Sequence, residues 1–373
     1  MKVAVNATPA VSMQKTGVEY YTDALLRALM RIAPDADVDI CAPRSWNTPL
    51  PSVWRMSTLL WPFPGWSTFR FSSHLLKTRP DIVFVPGNAL PPVSIGKQVT
   101  TVHDLAFQHC PELYTPAQIK EMQSAHRRAA DNANHIITIS DVTKRDMAEH
   151  FGVEETRMTT VHLGIDHERF CVRSSVSPDV VRVKTAHQLT KPYLLFIGRV
   201  EQKKGIDTLA RAYMDAQLHE QGVELVLAGY RGAHVSDELR TLLKQPSVRE
   251  LGYVSDADIG PMLSGALAFA FPTRKEGFGM PVLEAMASGV PVVCSDLQVL
   301  REIASDYPTY IPVDDVVAWA NALCGILRNT QQTRQDDAIT HAKSFTWDRC
   351  ARQTWDVLSR VTLTTSNLRP PLV

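Results

Sequence analysis

The sequence has little of what marks a secreted, membrane-spanning or nucleic-acid-binding chain. Its six cysteines are scattered, with no C-x-x-C pair and no histidine at zinc-finger spacing, which argues against disulfide frameworks and structural zinc. No apolar run approaches the roughly 18 residues of a membrane span, and the N-terminus lacks the apolar core of a signal peptide. The 39 basic residues match 39 acidic ones, so no excess charge favours nucleic acid as a partner. We expect a cytoplasmic protein.

What the sequence does have is a repeated alternation of strand-like and helix-like segments. Between the strand-like runs, apolar residues recur at helical spacing, as at Ile206, Leu209 and Tyr213. Strand, helix and strand in repeated order predict parallel sheets with helices on both faces. Nine β-branched runs are predicted as strands: residues 2–6, 38–41, 81–85, 99–102, 135–139, 193–197, 223–228, 266–271 and 290–294.

Two breaks in this alternation suggest how the chain is organised. Residues 168–191 mix serine and charge without clear period, and we interpret them as the connection between two doubly wound domains. The domains are then residues 1–167 and 192–345. A second break, residues 42–73, is rich in Pro, Trp and Phe. The end of the chain, residues 346–373, is predicted as a C-terminal helix returning towards the N-terminal domain, followed by a frayed tail.

In doubly wound folds ligands lie at the carboxyl ends of the strands, so the residues after each strand carry the functional prediction. After the strand at 266–271 comes a loop with Gly277 and Gly279, whose backbone N–H groups can approach a ligand closely. A helix follows at once, and its N-terminus favours an anion. Glu276 in the loop and Glu284 in the helix can face one cleft, although a carboxylate near a helix start is also a routine stabiliser.

Cations follow another strand, at 193–197. Arg199 and Lys204 lie in the loop there and together can neutralise a diphosphate, although a solvated surface loop explains them equally well. His103 follows the strand at 99–102, where a polar contact to a substrate competes with a structural role. Gly17 would let an N-terminal loop approach a ligand, and Ser140 suits a helix N-cap.

Taken together, these segments resemble the retaining GT-B glycosyltransferases of family four. The resemblance lies in EGFGMPVLEAMASGVPVV from Glu276, GRVEQKKG from Gly198, TVHDLAF, ITISDVTKRDM and TVHLGID, which occur in the family's order. The first of these contains the family's specific E-x7-E motif. The resemblance implies an α/β fold of two Rossmann-like domains facing across a cleft. It also implies that the N-terminal domain binds the acceptor and the C-terminal domain the nucleotide sugar.

The resemblance further implies a role for individual residues. Arg199 and Lys204 match the pair that grips the donor diphosphate. Glu276 matches the residue beside the transferred sugar, Glu284 the one that binds the ribose hydroxyls. His103 matches a histidine that hydrogen-bonds the sugar from the N-terminal domain. The other implied donor contacts, mostly through the backbone, are Gly17 at the diphosphate, Tyr253 and Val254 at the nucleobase, and Gly277, Phe278, Gly279 and Met280 at the sugar and phosphate.

By the same resemblance the chain is a metal-independent, retaining hexosyltransferase of polysaccharide assembly, of O-antigen or capsule type. The donor that we expect is GDP-mannose, and UDP- and ADP-sugars are the alternatives; the acceptor is lipid-linked or an oligosaccharide. Two Asp-x-Asp triplets, Asp37–Asp39 and Asp256–Asp258, are the sequence's candidates for a metal motif, and we expect neither to bind one. Other readings are a non-catalytic binding protein of the same fold, or an epimerase or hydrolase. A dehydrogenase is disfavoured because no G-x-G-x-x-G follows an early strand.

The aromatic-rich break suggests a membrane contact. Four of the seven tryptophans, interleaved with arginine, lie between Trp46 and Phe71. Trp favours membrane–water interfaces and Arg can meet lipid phosphates. We therefore predict peripheral contact with the inner face of the cytoplasmic membrane through Trp54, Trp61 and Trp66. The alternative is that these aromatics pack the N-terminal core.

Overall fold

The computed structural model describes residues 1–12, 17–87, 90–232, 235–326 and 332–363, and it divides into two compact units. The first unit contains Met1–Phe107, Tyr114–Gly164 and the chain from Thr346 on. The second contains Gln108–Leu113 and Ile165–Phe345. The predicted tail beyond residue 363 and the loop residues Gln14 to Thr16 lie outside the described residues. Among the described helices, none is both long enough and apolar enough to cross a membrane.

The strands form one sheet in each unit. In the first unit they are β1 (Lys2–Asn6), β2 (Asp37–Ala42), β3 (Arg55–Thr58), β4 (Ile82–Val85), β5 (Lys97–Val102), β6 (His135–Thr138) and β7 (Met158–Thr160). In the second unit they are β8 (Tyr193–Ile197), β9 (Glu224–Ala228), β10 (Val248–Gly252), β11 (Ala268–Phe271), β12 (Val292–Ser295) and β13 (Thr309–Ile311).

The helices lie between these strands. They are α1 (Gly17–Ile32), α2 (Ser72–Thr78), α3 (Ala106–His109), α4 (Pro116–Asn132), α5 (Asp141–Phe151), α6 (Pro178–Ala186), α7 (Ile206–Asp215), α8 (Asp237–Leu242), α9 (Asp256–Ser264), α10 (Met280–Ala287), α11 (Gln298–Ala304), α12 (Val316–Ile326), α13 (Gln332–Ala342) and α14 (Trp347–Leu363). Short 3₁₀ turns occupy Pro9–Val11, Pro111–Leu113, Glu155–Arg157 and Gln202–Lys204, and a π turn occupies Ser67–Phe71.

The sheet of the first unit has the order β3-β2-β1-β4-β5-β6-β7, with every pairing parallel. The strand order reverses direction between β1 and β4, which makes the carboxyl ends of these two strands the place where such a sheet binds ligands. Helix α1 buries Leu25, Leu26 and Leu29 on one face, and α14 packs against α1 and the sheet. Ser140 caps α5, because its side chain accepts a hydrogen bond from Thr143 N at 3.1 Å.

The sheet of the second unit repeats this plan with the order β10-β9-β8-β11-β12-β13, again parallel throughout. Its order reverses between β8 and β11. Helix α7 buries Ile206, Leu209 and Tyr213, as their spacing predicts. The predicted two-domain parallel α/β architecture is confirmed.

The two predicted breaks contain regular structure. Residues 168–191, interpreted as a connection, belong to the second unit and contain α6. Residues 42–73 contain β3 and a π turn. The sequence analysis did not identify β3, β7, β10 or β13 as strands. All four lie at the edges of their sheets, and they have only three to five residues.

The prediction that Trp54 contacts a membrane is wrong. Trp54 is only 5% exposed, and its Nε1 donates a hydrogen bond to the Ala33 carbonyl oxygen at 3.0 Å. Trp46 is likewise buried and donates to Asp23 Oδ1 at 2.8 Å. Both indole N–H groups are satisfied inside the first unit, as a buried tryptophan requires. These two tryptophans therefore stabilise the fold.

Candidate functional site

The strand-order reversal of the second sheet positions the residues that the sequence singled out. Strands β8 and β11 are hydrogen-bonded neighbours and run parallel, so the loops at their carboxyl ends adjoin. The loop after β8 is residues 198–205 and carries Arg199 and Lys204. The loop after β11 is residues 272–279 and carries Glu276. The predicted cations and the predicted carboxylate are thus brought to one edge of one sheet.

A glycine allows the backbones of these two loops to approach each other closely. Gly205 has φ 64°, and a Cβ placed on it would lie 2.0 Å from the carbonyl oxygen of Pro272. No other residue fits there, because both the backbone conformation and the space exclude a side chain. Next to this contact, Arg274 N donates to the carbonyl oxygen of Lys203 at 3.0 Å. The glycine after the lysines therefore fixes the position of Lys204 relative to the second loop.

Arg274 adds a set of ion pairs that the sequence analysis did not identify. Its guanidinium lies 2.9 Å from Asp207 on α7 and 2.7 Å from Asp314, and it also donates to the backbone of the 3₁₀ turn. These two carboxylates hold the pKa of Arg274 above its usual range even though burial opposes this. A planar guanidinium with two carboxylates is a rigid connection. We assign Arg274 the positioning of the loop that carries Glu276.

Lys204 and Glu276 form an ion pair at the centre of this edge. Lys204 Nζ contacts Glu276 Oε1, and the two side chains are only 19% and 15% exposed. Thr273 Oγ1, on a fully buried residue, lies 2.9 Å from the same Glu276 oxygen. Lys204 Nζ also lies 5.7 Å from the centre of the Phe271 ring. An ion pair that is mostly shielded from water holds both charges in fixed positions.

Arg199 differs from Lys204 in having no partner. Its side chain is exposed, and within the part of the chain that the structure describes it makes no hydrogen bond or ion pair. Most of the other described arginines of the second unit form an ion pair with a carboxylate. A cation without a counter-charge at the ligand edge of a parallel sheet is suited to bind an anionic ligand.

Helix α10 begins beside this pair. Gly279 precedes it with φ 101°, and Pro281 occupies its first turn, where a missing N–H costs nothing. The Phe278 side chain is buried, so this residue offers a ligand its backbone only. Glu284 lies further along α10, and burial raises its pKa to about 7, with Asp256 and Asp166 adding to the shift and Arg169 opposing it. A carboxyl group with this pKa takes up or releases a proton near neutral pH.

The carboxyl ends of β9 and β10 present a pair of tyrosines. Tyr253 is 60% exposed and stacks on Tyr230, with ring centres 5.6 Å apart and planes 16° apart. Val254, the other predicted nucleobase contact, is buried. The sequence analysis named Tyr253 but not Tyr230. An exposed pair of stacked rings is a surface on which a planar base can stack.

In the first unit, His103 follows β5 at the edge where the strand order reverses. Its Nε2 lies 2.8 Å from the Pro86 carbonyl oxygen, which can only accept, so Nε2 carries the hydrogen and Nδ1 is left as an acceptor. Burial lowers the pKa of His103, which keeps the ring neutral at pH 7. Gly17 begins α1, and a Cβ there would meet nothing within 4 Å. Packing among the described residues therefore gives no reason for a glycine at this position.

The carboxylates of the two Asp-x-Asp triplets are engaged by basic side chains. The closest pairs are Asp37 with Arg55 at 2.5 Å, Asp39 with His74 at 2.8 Å, Asp256 with Arg169 at 3.2 Å and Asp258 with Arg182 at 2.8 Å. Asp39, His74 and Cys41 are close enough together to hold one ion. Burial, however, raises the pKa of the Cys41 thiol well above its usual range, which disfavours the thiolate that a metal needs.

Two doubly wound parallel units, with charged and glycine-rich loops at the carboxyl ends of the central strands, form the fold of the GT-B class. Residues 15–169 match the family described as Glycosyltransferase Family 4, and residues 191–329 match Glycosyl transferases group 1. The chain belongs to family 4, group 1, of the glycosyltransferases. The resemblance recognised in its sequence is thereby confirmed.

Individual relatives agree with this assignment. O-antigen chain mannosyltransferase B of Escherichia coli is 31% identical over 294 residues, which cover 75% of this chain and 74% of the relative. Sucrose-phosphate synthase from Thermosynechococcus elongatus superposes with a TM-score of 0.75 at 19% identity, covering 98% of this chain and all of that one. HepE of Anabaena, in complex with UDP and glucose, gives 0.72 at 17% identity, with 96% and 99% covered. At such identities the two structures show the fold alone.

Proposed function

We propose that this glycosyltransferase is a retaining enzyme that transfers mannose from GDP-mannose to a lipid-linked or oligosaccharide acceptor during O-antigen or capsule-type polysaccharide assembly. The observation that carries the proposal is the Lys204–Glu276 pair beside the unpaired Arg199, at the edge where the second sheet reverses its strand order. The mannose and the pathway are supported by the similarity to the mannosyltransferase of Escherichia coli.

In this proposal the cations stabilise the leaving group. Cleavage of the bond between the sugar and the nucleotide diphosphate leaves negative charge on the phosphate oxygen. Arg199 is available to bind it, and Lys204 has three N–H donors, so it can reach a phosphate oxygen while one donor stays on Glu276. Fixed charges near developing charge lower the barrier without reorganisation during the reaction. The backbone N–H groups at the start of α10 add to this effect.

Glu276 orients the sugar in this proposal and does not form a covalent bond to it. Its carboxylate contacts Lys204 Nζ and Thr273 Oγ1, which lower its nucleophilicity and fix its position. The acceptor hydroxyl then attacks on the face that the diphosphate leaves, and the departing phosphate oxygen takes its proton. The anomeric configuration is retained because bond breaking and bond making occur on the same face.

The remaining residues would bind the rest of the donor. Glu284 would accept hydrogen bonds from the ribose hydroxyls, and Tyr253 with Tyr230 would stack on the base. His103 would accept a hydrogen bond from a sugar hydroxyl at Nδ1, the ring nitrogen that Pro86 leaves available. The glycine at position 17 would allow close approach of the diphosphate.

We expect nucleotide release to be fastest with GDP-mannose in a panel of GDP-, UDP- and ADP-sugars, and unchanged by EDTA. The donor preference follows from the proposed function, and the metal independence follows from the pairing of the carboxylates of both Asp-x-Asp triplets with basic side chains. Release of nucleotide, followed with and without acceptor, measures both. Preference for a UDP- or ADP-sugar would contradict GDP-mannose as the donor. Activity that EDTA abolishes and Mn²⁺ restores would contradict a metal-independent reaction. No release from any donor would favour a non-catalytic binding protein.

We also propose that the first unit contacts the inner face of the cytoplasmic membrane. Leu60, Phe63 and Phe69 are 74%, 66% and 60% exposed. The Trp61 ring packs against the rings of Phe63 and Phe69, at 5.7 Å and 6.0 Å. We call these four residues the apolar cluster. So much exposed apolar surface in one place favours an interface, and aromatic rings favour the boundary between lipid and water.

Loss of Phe63 and Phe69 is expected to abolish most binding to liposomes. The double variant Phe63→Ser/Phe69→Ser removes exposed rings without opening the core, unlike a change at Trp66, which stacks on Phe71 and donates to the Leu59 carbonyl oxygen. Co-sedimentation with vesicles containing anionic lipid is the measurement. The matched control is Val317→Ser, at a residue 69% exposed in the second unit. A wild type that stays in the supernatant would contradict the membrane contact.

A further inference from the structure

A pocket opens at the carboxyl ends of the first three strands of the first unit. Its volume is about 860 Å³, large enough for a small ligand or part of a large one. It follows β1, β2 and β3 directly, next to the point where the sheet reverses its strand order. Its walls are formed by Thr8, Val11, Ser12, Pro43, Arg44, Leu60, Trp61 and Pro62.

The chemistry of these walls fits an anion bound beside an apolar group. Among the lining residues that the structure describes, Arg44 is the one that carries a charge, and none of them is a carboxylate. Within the described residues, Arg44 makes no ion pair or hydrogen bond, and its side chain is exposed. A guanidinium that has no ion-pair partner is suited to bind phosphate oxygens, because it can offer them two parallel N–H donors. Most of the other lining residues are apolar.

The pocket is continuous with the apolar cluster. Leu60 and Trp61 belong to both, and Trp61 contacts the Phe63 and Phe69 rings outside the pocket. A ligand that uses both places therefore carries a phosphate at Arg44 and a long apolar chain along the cluster. A lipid whose phosphate is linked to a sugar has this composition. A free oligosaccharide has neither part.

We infer that this pocket holds the phosphate-bearing end of a lipid-linked acceptor, with Arg44 on the phosphate and Trp61 with Leu60 on the start of the lipid chain. The inference rests on the proposed function for the transfer reaction and selects the lipid-linked acceptor from its two alternatives. The saccharide then lies at the same edge of the sheet, where β4 and β5 end at Pro86 and His103. Arg44 is a specificity-determining residue, because it recognises the part of the acceptor that does not react.

The test compares two acceptors, a saccharide on a lipid diphosphate and the same saccharide as a methyl glycoside. Arg44→Ala is expected to raise KM for the lipid-linked acceptor roughly 10-fold or more, since a charge-assisted hydrogen bond is lost. The kcat at saturation, KM for the donor, and all constants for the methyl glycoside stay at wild-type values. Arg44→Lys recovers part of the loss. The control is Lys77→Ala, which removes an exposed cation of α2 outside the pocket.

Each departure from this pattern has a defined meaning. An unchanged KM for the lipid-linked acceptor in Arg44→Ala, or an equal rise for both acceptors, overturns the inference. So does a loss of binding to anionic vesicles that hold no acceptor, because Arg44 would then recognise bilayer phosphates in general. If the wild type transfers no sugar at all, the proposed function fails instead. Quenching of tryptophan fluorescence by the lipid-linked saccharide in detergent then still measures whether Arg44→Ala weakens binding.

Discussion

Replacement of Lys204 or of Arg199 by alanine is expected to lower kcat/KM for transfer by roughly 100- to 1,000-fold, or about 3 to 4 kcal/mol of transition-state stabilisation. In the proposed mechanism each residue supplies a positive charge where the leaving diphosphate becomes more negative. Both lie in the loop after β8, at the edge where sheets with this strand order bind ligands. Steady-state kinetics with a saturating acceptor measure the effect.

The two variants are expected to differ in thermal stability. Lys204→Ala leaves the Glu276 carboxylate without its cation in a site that is 15% exposed, so it is expected to lower the melting temperature as well. Arg199 has no such partner, and Arg199→Ala is expected to melt like the wild type. Lys244→Ala, which removes an exposed lysine from the turn before β10, is the control. Values of kcat/KM near wild type in both Arg199→Ala and Lys204→Ala would contradict the assignment of the diphosphate site to this loop.

Glu276→Ala is expected to reduce activity more than Glu284→Ala, with losses of roughly 1,000-fold and 10- to 100-fold. In the proposed mechanism Glu276 lies beside the reacting sugar, and its carboxylate pairs with Lys204. Its loss therefore removes a contact in the transition state and leaves a cation without its partner. Glu284 is proposed to anchor the ribose, which does not change during the reaction. Glu276→Ala should therefore lower kcat, and Glu284→Ala should mainly raise KM for the donor. Equal losses in kcat for the two variants would contradict these roles.

The fold could be predicted from the sequence where strands are central and not where they are at the edge. Central parallel strands such as β4 and β8 are covered on both faces and appear in the sequence as continuous apolar runs. The edge strands are short and partly exposed. β3 has no buried residue at all, and β13 has one. β10, the fourth edge strand, was not predicted either, and the resemblance indicated only Tyr253 and Val254, the residues that follow it.

The candidate site could also be predicted only in part. The placement of Glu276, Lys204 and Arg199 at one edge of the second sheet could be predicted, because each follows a strand and lies in a recognisable motif. Arg274 could not, since its partners Asp207 and Asp314 are 67 and 40 residues away along the chain and no local pattern links them. Such a contact depends on how helices and strands pack.

The composition of a segment also does not predict which of its aromatic side chains lie at the surface. The tryptophan-rich segment gave Trp54 and Trp61 the same prediction, yet Trp54 is buried in the core and Trp61 lies beside exposed phenylalanine rings. Spacing does not separate the two, because the segment has no single period. Only the packing of β3 and of the π turn after it decides which ring faces outward.

The configuration of the product tests the central claim most directly. GDP-mannose and the lipid-linked acceptor are incubated with the wild-type enzyme, and the one-bond carbon–hydrogen coupling at the new anomeric centre is measured by NMR. The account predicts an α-mannoside, the configuration of the donor, formed in step with release of GDP. A β-mannoside would contradict attack on the face that the diphosphate leaves, and with it the orienting role of Glu276.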